Sequence, residues 1–249
     1  MWRKKPSLAK AICLTLTTIV MLVPGVWASG QGQAQESVEA GSFGKSTFTV
    51  LYDFGGKDGD LIYPAGPTVA QGRDANLYST TSFGGTFNDG VVFKMTPKGK
   101  PTVMYQLSSN DGSTGLTLGT DGNFYGTTVY GGTGAGFGTA FRITPHGQLT
   151  TLYDFSGQNY DAYPDAPPIQ ASDGSFYGTT LGDFNGNGGT VYKMTRSGEE
   201  TTLFKFDRTD GANPADPLIQ ATDGNFYGTT FSGGLRAAAS NMAVELYSS

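Results

Sequence analysis

A ten-residue phrase recurs four times along this chain, and no other feature restricts its fold as much. The copies begin at Gly72, Gly119, Ala171 and Ala221. The last reads Ala221-Thr222-Asp223-Gly224-Asn225-Phe226-Tyr227-Gly228-Thr229-Thr230. The acidic residue that opens each turn (Asp74, Asp121, Asp173, Asp223) returns after 47, 52 and 50 residues. A period of this length marks a repeat architecture, in which a unit buries its apolar face only against its neighbours.

Each period reads as four short strands. In the first they cover 67–71, 77–81, 91–96 and 101–107, separated by Asp74-Ala75-Asn76, by a loop with Gly84-Gly85 and Asp89-Gly90, and by Pro97-Lys98-Gly99. β-Branched and aromatic residues fill the runs. Glycine supplies the positive φ that tight hairpin turns need. The second period gives 116–120, 124–128, 139–144 and 148–155, and the third gives 167–172, 176–180, 190–195 and 199–206. The fourth gives 217–222 and 226–230, then a weaker match at 242–246. Residues 47–54 look like a fourth strand placed ahead of the first unit, as comparison with Thr150-Thr151-Leu152-Tyr153-Asp154-Phe155 shows. Four-stranded meanders repeated around an axis make a β-propeller. The expected fold is therefore all-β, a propeller of four-stranded antiparallel blades. Four blades are expected, with the N-terminal strand closing the last; an open array of the same units is the alternative.

The chain start reads differently. Arg3, Lys4, Lys5 and Lys10 precede an apolar run over 11–23, followed by small residues, the three-part pattern of a secretory signal peptide. The run is shorter than the roughly 20 residues that span a bilayer. The expected organisation is a signal peptide over 1–28, a flexible polar leader over 29–46, and the repeat domain over 47–249. Removing 1–28 leaves 12 basic against 21 acidic residues, a net charge of −9. The single cysteine, Cys13, leaves with it, so the exported part would rely on packing rather than disulfides. An acidic surface without a basic cluster argues against nucleic acid and anionic membrane as partners. The expected locale is secreted or cell envelope, as a monomer with no membrane insertion after cleavage.

The phrase over 217–230, with Val191-Tyr192-Lys193-Met194-Thr195 and Thr201-Thr202-Leu203-Phe204 before it, resembles the Gloeo-Verruco tandem repeat of exported bacterial "choice-of-anchor" proteins. The resemblance covers about 47–234. That family carries no established activity, so the resemblance implies no catalytic residue; the surface-anchoring or sorting segment usual in the family has no counterpart here. More distantly, Asp-Gly-Asn-Phe-Tyr-Gly-Thr is similar to the Asp-Gly-x-hydrophobic-Trp-x-Thr core of sensor-type and streptogramin-lyase propellers. This implies the fold, and function only by analogy.

Strand order places the tight turns at one end of the blades. The long loops over 82–90, 129–138, 181–189 and 231–241, and the inter-blade loops over 55–66, 108–115, 156–166 and 207–216, meet at the other. Loops on a rigid scaffold carry binding residues, so that end is the expected binding face. Each inter-blade loop holds one acid, Asp58, Asp111, Asp161 and Asp210, and these are the candidate binding residues. A ring of carboxylates can hold sugar hydroxyls or a cation; equally, each Asp can cap its own loop through backbone N–H groups.

Other motifs fall short. Asp183-Phe184-Asn185-Gly186-Asn187-Gly188 starts like a calcium loop, but Met194 stands where the closing Glu belongs. Gly131-Gly132-Thr133-Gly134-Ala135-Gly136 lacks the Lys-Ser/Thr of a phosphate loop. His146, the only histidine, lies in a tight turn. Tyr125, Tyr177 and Tyr227 recur at one repeat position and read as inter-blade core. No metal or cofactor is expected. The sequence therefore points to a non-catalytic module that binds an extracellular glycan or protein. A polysaccharide hydrolase or lyase using loop carboxylates, or a structural envelope spacer, are the alternatives.

Overall fold

The structure, a computed structural model, describes residues 49–54, 62–64, 68–108, 112–133, 136–182, 188–234 and 242–246. The expected signal peptide and leader lie outside the described residues.

Among the described residues, sixteen short strands form four antiparallel sheets. In blade 1, β1 (Ile62–Pro64) and β2 (Ala70–Gln71) both pair with β3 (Leu77–Phe83), and β4 (Val91–Met95) and β5 (Pro101–Gln106) follow. Blade 2 runs β6 (Thr117–Leu118), β7 (Phe124–Thr128), β8 (Thr139–Ile143) and β9 (Leu149–Asp154). Blade 3 runs β10 (Ile169–Gln170), β11 (Phe176–Thr180), β12 (Thr190–Met194) and β13 (Glu200–Lys205). Blade 4 has three strands, β14 (Ile219–Gln220), β15 (Phe226–Thr230) and β16 (Met242–Leu246). The meander read from the sequence is thus observed in every unit.

The repeated phrase explains the packing. Its Asp accepts the main-chain N–H two residues on, fixing the turn: Asn123 N–H to Asp121 at 3.1 Å, Ser175 N–H to Asp173 at 2.9 Å. Its Tyr then donates back to that Asp, at 2.8 Å from Tyr78, 2.9 Å from Tyr125 and 2.8 Å from Tyr177. So oriented, each ring stacks on the phenylalanine of the next blade. The centroids are 4.1 Å apart for Tyr78–Phe124, 3.9 Å for Tyr125–Phe176 and 4.2 Å for Tyr177–Phe226. The expectation of inter-blade core holds for Tyr125 and Tyr177, and Tyr78 takes the same place at the first seam, while Tyr227 is half-buried. One motif therefore makes the turn and the seam together.

The blades also approach closely through the glycine of each third-to-fourth turn. A Cβ on Gly147 (φ +87°) would lie 2.7 Å from the carbonyl oxygen of Met104 in blade 1. Gly198 faces Leu152 of blade 2 in the same way, and Gly99 faces Leu51. Gly147→Ala is expected to cost about 1–2 kcal/mol from the left-handed backbone alone, with the clash adding to it. Thermal melting should fall by several degrees.

Two expectations need correction. Residues 62–64, read as loop, form β1, where Ile62 pairs with Phe83 and Pro64 with Thr81. Bridges Ser113–Thr128 and Ala212–Ser232 show inter-blade loops docking on second strands elsewhere. Nor, among the described residues, does the N-terminal segment pair with the last blade. Residues 49–54 form no strand, and the fourth sheet holds three strands among the described residues. Instead Tyr52 and Phe54 pack on Val91, Phe93 and Met95, with Phe54 and Phe93 centroids 5.6 Å apart. Those apolar side chains find cover on blade 1, so the segment takes a fourth-strand position against that blade.

Candidate functional site

Of the four candidate carboxylates the structure describes two, Asp161 and Asp210, and these differ in their surroundings. Asp58 and Asp111 lie outside the described residues. Asp210 accepts the main-chain N–H of Asp207 at 3.1 Å, which is loop capping. Asp161 stands apart, only 6% exposed.

Asp161 follows a single 3-10 turn, Gln158–Tyr160, which folds the loop back under the blade 2–blade 3 seam. Tyr153 of β9 donates to its Oδ2 at 3.1 Å, and the N–H and hydroxyl of Ser156 reach the same oxygen at 3.5 Å. Its Oδ1 is buried with no hydrogen-bond partner, and so is the hydroxyl of Tyr192, a residue 0% exposed. Glu200, at the start of β13, approaches the Tyr153 hydroxyl from the other blade. Burial raises the Asp161 carboxyl against the hydrogen bonds of Tyr153 and Ser156 and the charge of Lys205. Burial also raises Glu200, and the Asp161 charge adds to it. Both tyrosine hydroxyls are pushed far up, first by burial and then by the two carboxylates. The result is an acid pair bridged by a phenol inside a seam.

A second acid pair lies where the chain enters the first strands of blades 3 and 4. First strands of neighbouring blades approach one another, as β2 and β6 do, and the residues that lead into them make a rim. Threonine hydroxyls of the second strands reach across this rim: Thr127 donates to the Ala166 carbonyl at 3.0 Å and Thr179 to that of Asp216 at 3.5 Å. Thr229 donates to the Asp216 carboxylate at 2.9 Å. Beside it, Asp165 is open to solvent, yet the surrounding protein and then the Asp216 charge push its carboxyl up to about 6.

The remaining motifs add nothing to these sites. Residues 183–187 lie outside the described residues, and Met194 is fully buried in core. His146 is exposed in its tight turn.

Sequence comparison decides the family: the Gloeobacter/Verrucomicrobia repeat pattern matches residues 28–240. The chain belongs to the Gloeobacter/Verrucomicrobia repeat family. No curated protein matches this repeat protein. Its fold has solved counterparts. Selenomethionine-substituted virginiamycin B lyase from Staphylococcus aureus is similar with a TM-score of 0.51 and 17% identity, covering 78% of this chain and 57% of the lyase. A catalytically inactive variant of that lyase with quinupristin gives a TM-score of 0.52 at 16% identity, covering 78% and 58%. The repeat protein thus spans somewhat over half the length of these structures. At this identity the likeness is one of fold, a β-propeller.

Sequence reasoning passed over Asp165, Asp216, Tyr153, Tyr192 and Glu200. The signal available was departure from the repeat. Glu200 pairs with Met194 where Pro101 pairs with Met95 and Leu149 with Ile143. Asp216 falls where the equivalent positions hold Pro67, Thr114 and Ala166.

Proposed function

We propose that this protein is an exported, non-catalytic binding propeller that takes a hydroxyl-rich extracellular ligand, a glycan or a glycosylated protein, at its axial rim. The observation that carries the reading is the Asp165–Asp216 pair, open to solvent, flanked by the Thr179 and Thr229 hydroxyls. Carboxylates that accept and hydroxyls that both donate and accept suit sugar hydroxyls. Export rests on the basic-then-apolar start of the chain.

A glycan array with the purified protein tests this, followed by calorimetry on any hit. Asp165→Asn and Asp216→Asn should each weaken binding about tenfold or more, the loss of one charged hydrogen bond, with circular dichroism unchanged. Affinity should also bend near pH 6, where Asp165 titrates. Binding that ignores both substitutions and that pH would remove the rim from consideration.

One observation favours a second reading. Two neighbouring carboxyls, one of them raised, are the arrangement of a general acid and base. Asp165, raised to about 6, would be the acid and Asp216 beside it the base. Turnover of a polysaccharide, abolished by Asp165→Asn, would establish a hydrolase or lyase in place of a binding module.

A further inference from the structure

We propose that the tight-turn end of the blades carries an anion site, where Arg73 of blade 1 and Arg196 of blade 3 converge on Thr120 of blade 2 and together hold a sulfate or phosphate ester of a glycan. Arg73 donates to the Thr120 carbonyl at 2.5 Å, and Arg196 donates to the Thr120 hydroxyl at 2.5 Å. Two cationic side chains thus reach one residue from opposite sides. Arg73 lies over the turn of blade 2, its Cζ 3.5 Å from where a Cβ on Gly122 would stand. Arg196 lies beside its own blade's turn, its Nη2 3.9 Å from the same point on Gly174. All three residues are exposed. The acids of the rim precede their first strands, whereas Arg73 and Thr120 follow theirs, so this site is at the other end of the blades.

The local charges favour an anion. Among the described residues, no carboxylate lies within ion-pair distance of either guanidinium. The turn acids nearby are already engaged. Asp121 accepts from Asn123 and Tyr125, and Asp173 accepts from Lys193, Ser175 and Tyr177. The charges of Arg142 and Arg196 both reach the Tyr125 hydroxyl at the blade 2 turn, which adds a third cation to the group. A guanidinium presents its N–H donors as a planar fork that matches oxyanions. Each fork here spends one donor on Thr120 and has others to offer. A tetrahedral sulfate or phosphate can give oxygens to both forks at once.

Both arginines depart from the repeat. Arg73 stands where the other units have Thr120, Ser172 and Thr222, and Arg196 where two of them have Pro97 and Pro145. A demand of the blade itself would recur in every unit; these two residues do not recur, yet they meet. Residues 73, 142 and 196 are far apart in the chain, so folding assembles a basic group that no run of sequence displays. The oxyanion follows from the arginines alone, and the glycan as its source rests on the export reading above. Neither depends on the rim.

Calorimetric titration of the full chain at low ionic strength tests this, with inorganic sulfate, inorganic phosphate, dextran sulfate and uncharged dextran as probes. Both inorganic ions should bind, dextran sulfate should bind more tightly, and dextran should not bind. Arg73→Thr and Arg196→Pro, which restore residues of the sister units, should each weaken dextran sulfate at least about tenfold, the scale of a charge-assisted hydrogen bond, with circular dichroism unchanged. Lys98→Gln, at an exposed cation in the third-to-fourth turn of blade 1, should leave binding as it was. Should Arg196→Pro fold poorly, Arg196→Gln provides the same reading. A wild type that binds neither inorganic ion overturns the proposal, as does binding indifferent to both arginines or equally weakened by Lys98→Gln. Inorganic ions that bind while dextran sulfate does not would overturn the glycan ester as the ligand.

Discussion

Tyr125→Ala is expected to cost about 3–5 kcal/mol, the range for removing a large buried ring. Tyr125 is fully buried, its ring centroid lies 3.9 Å from that of Phe176, and its hydroxyl holds the Asp121 turn at 2.9 Å. Truncation would empty the blade 2–blade 3 seam and release the turn together. In a repeat array, stability is the sum of unit terms and nearest-neighbour interfaces. The loss should therefore appear as uncoupling as well as a lower melting temperature: urea unfolding of the variant should become broad or biphasic. Tyr125→Phe keeps the stack and removes the hydrogen bond, so it should cost only about 1 kcal/mol. The wild type also has an alkaline limit here. Burial and the Asp121 hydrogen bond raise Tyr125 to about 12, against about 10 for a free tyrosine. The neutral phenol is thus favoured in the folded chain, and its contribution is complete below pH 10 and lost as pH rises toward 12. Tyr125→Ala melting within a degree of the wild type would refute the stacked seam as the main link between blades.

The features legible in the sequence are those where one residue type answers to one local demand. Asp121 and Gly122 announce a turn because a short acceptor and a positive φ are needed there, and the structure has Gly122 at φ +85°. Tyr125 and Phe176 announce a seam because aromatic residues at one repeat position have to be buried by the neighbouring unit. Closure of the ring was not legible. Residues 49–54 carry a fourth-strand pattern, but the pattern records which apolar surface the segment can cover, and Phe93 offers that surface without a hydrogen-bonded partner strand. The candidate sites were hidden for a related reason. Asp161 and Asp210 look equivalent in sequence, yet one is buried beneath Tyr153 and the other caps its loop, because the Gln158–Tyr160 turn precedes Asp161 and has no counterpart before Asp210. Glu200 gains its partners from across a seam, and no single period of the repeat contains both sides.

The acid pair across that seam should make the protein lose stability as pH rises from the acid side toward neutrality. In an unfolded chain Asp and Glu ionise near pH 4. In the folded chain Asp161 and Glu200 hold their protons to higher pH, because burial disfavours the charged forms and each charge opposes the other. The folded state therefore binds more protons over this window, and linkage makes the pair's contribution largest below the ordinary carboxylate range and smaller above the raised values. The repeated turn acids work in the opposite sense. Burial would raise Asp173, but hydrogen bonds from Lys193, Ser175 and Tyr177 outweigh it and bring its carboxyl to about 2, so its contribution is lost only in strong acid. Substitution separates the two effects. Glu200→Gln keeps an acceptor for Thr202, which donates to it at 3.3 Å, and removes one charge. It should raise stability at pH 7–8 by about 1 kcal/mol, the scale left to a half-buried charge after screening, and flatten the pH slope. Asp161→Ala should instead lower stability by about 1–3 kcal/mol, because Tyr153 is left a buried donor without its acceptor. Chemical denaturation from pH 4 to 8 reads both. If Glu200→Gln destabilises at every pH, the two carboxyls do not oppose one another and the seam is held by their charges rather than in spite of them.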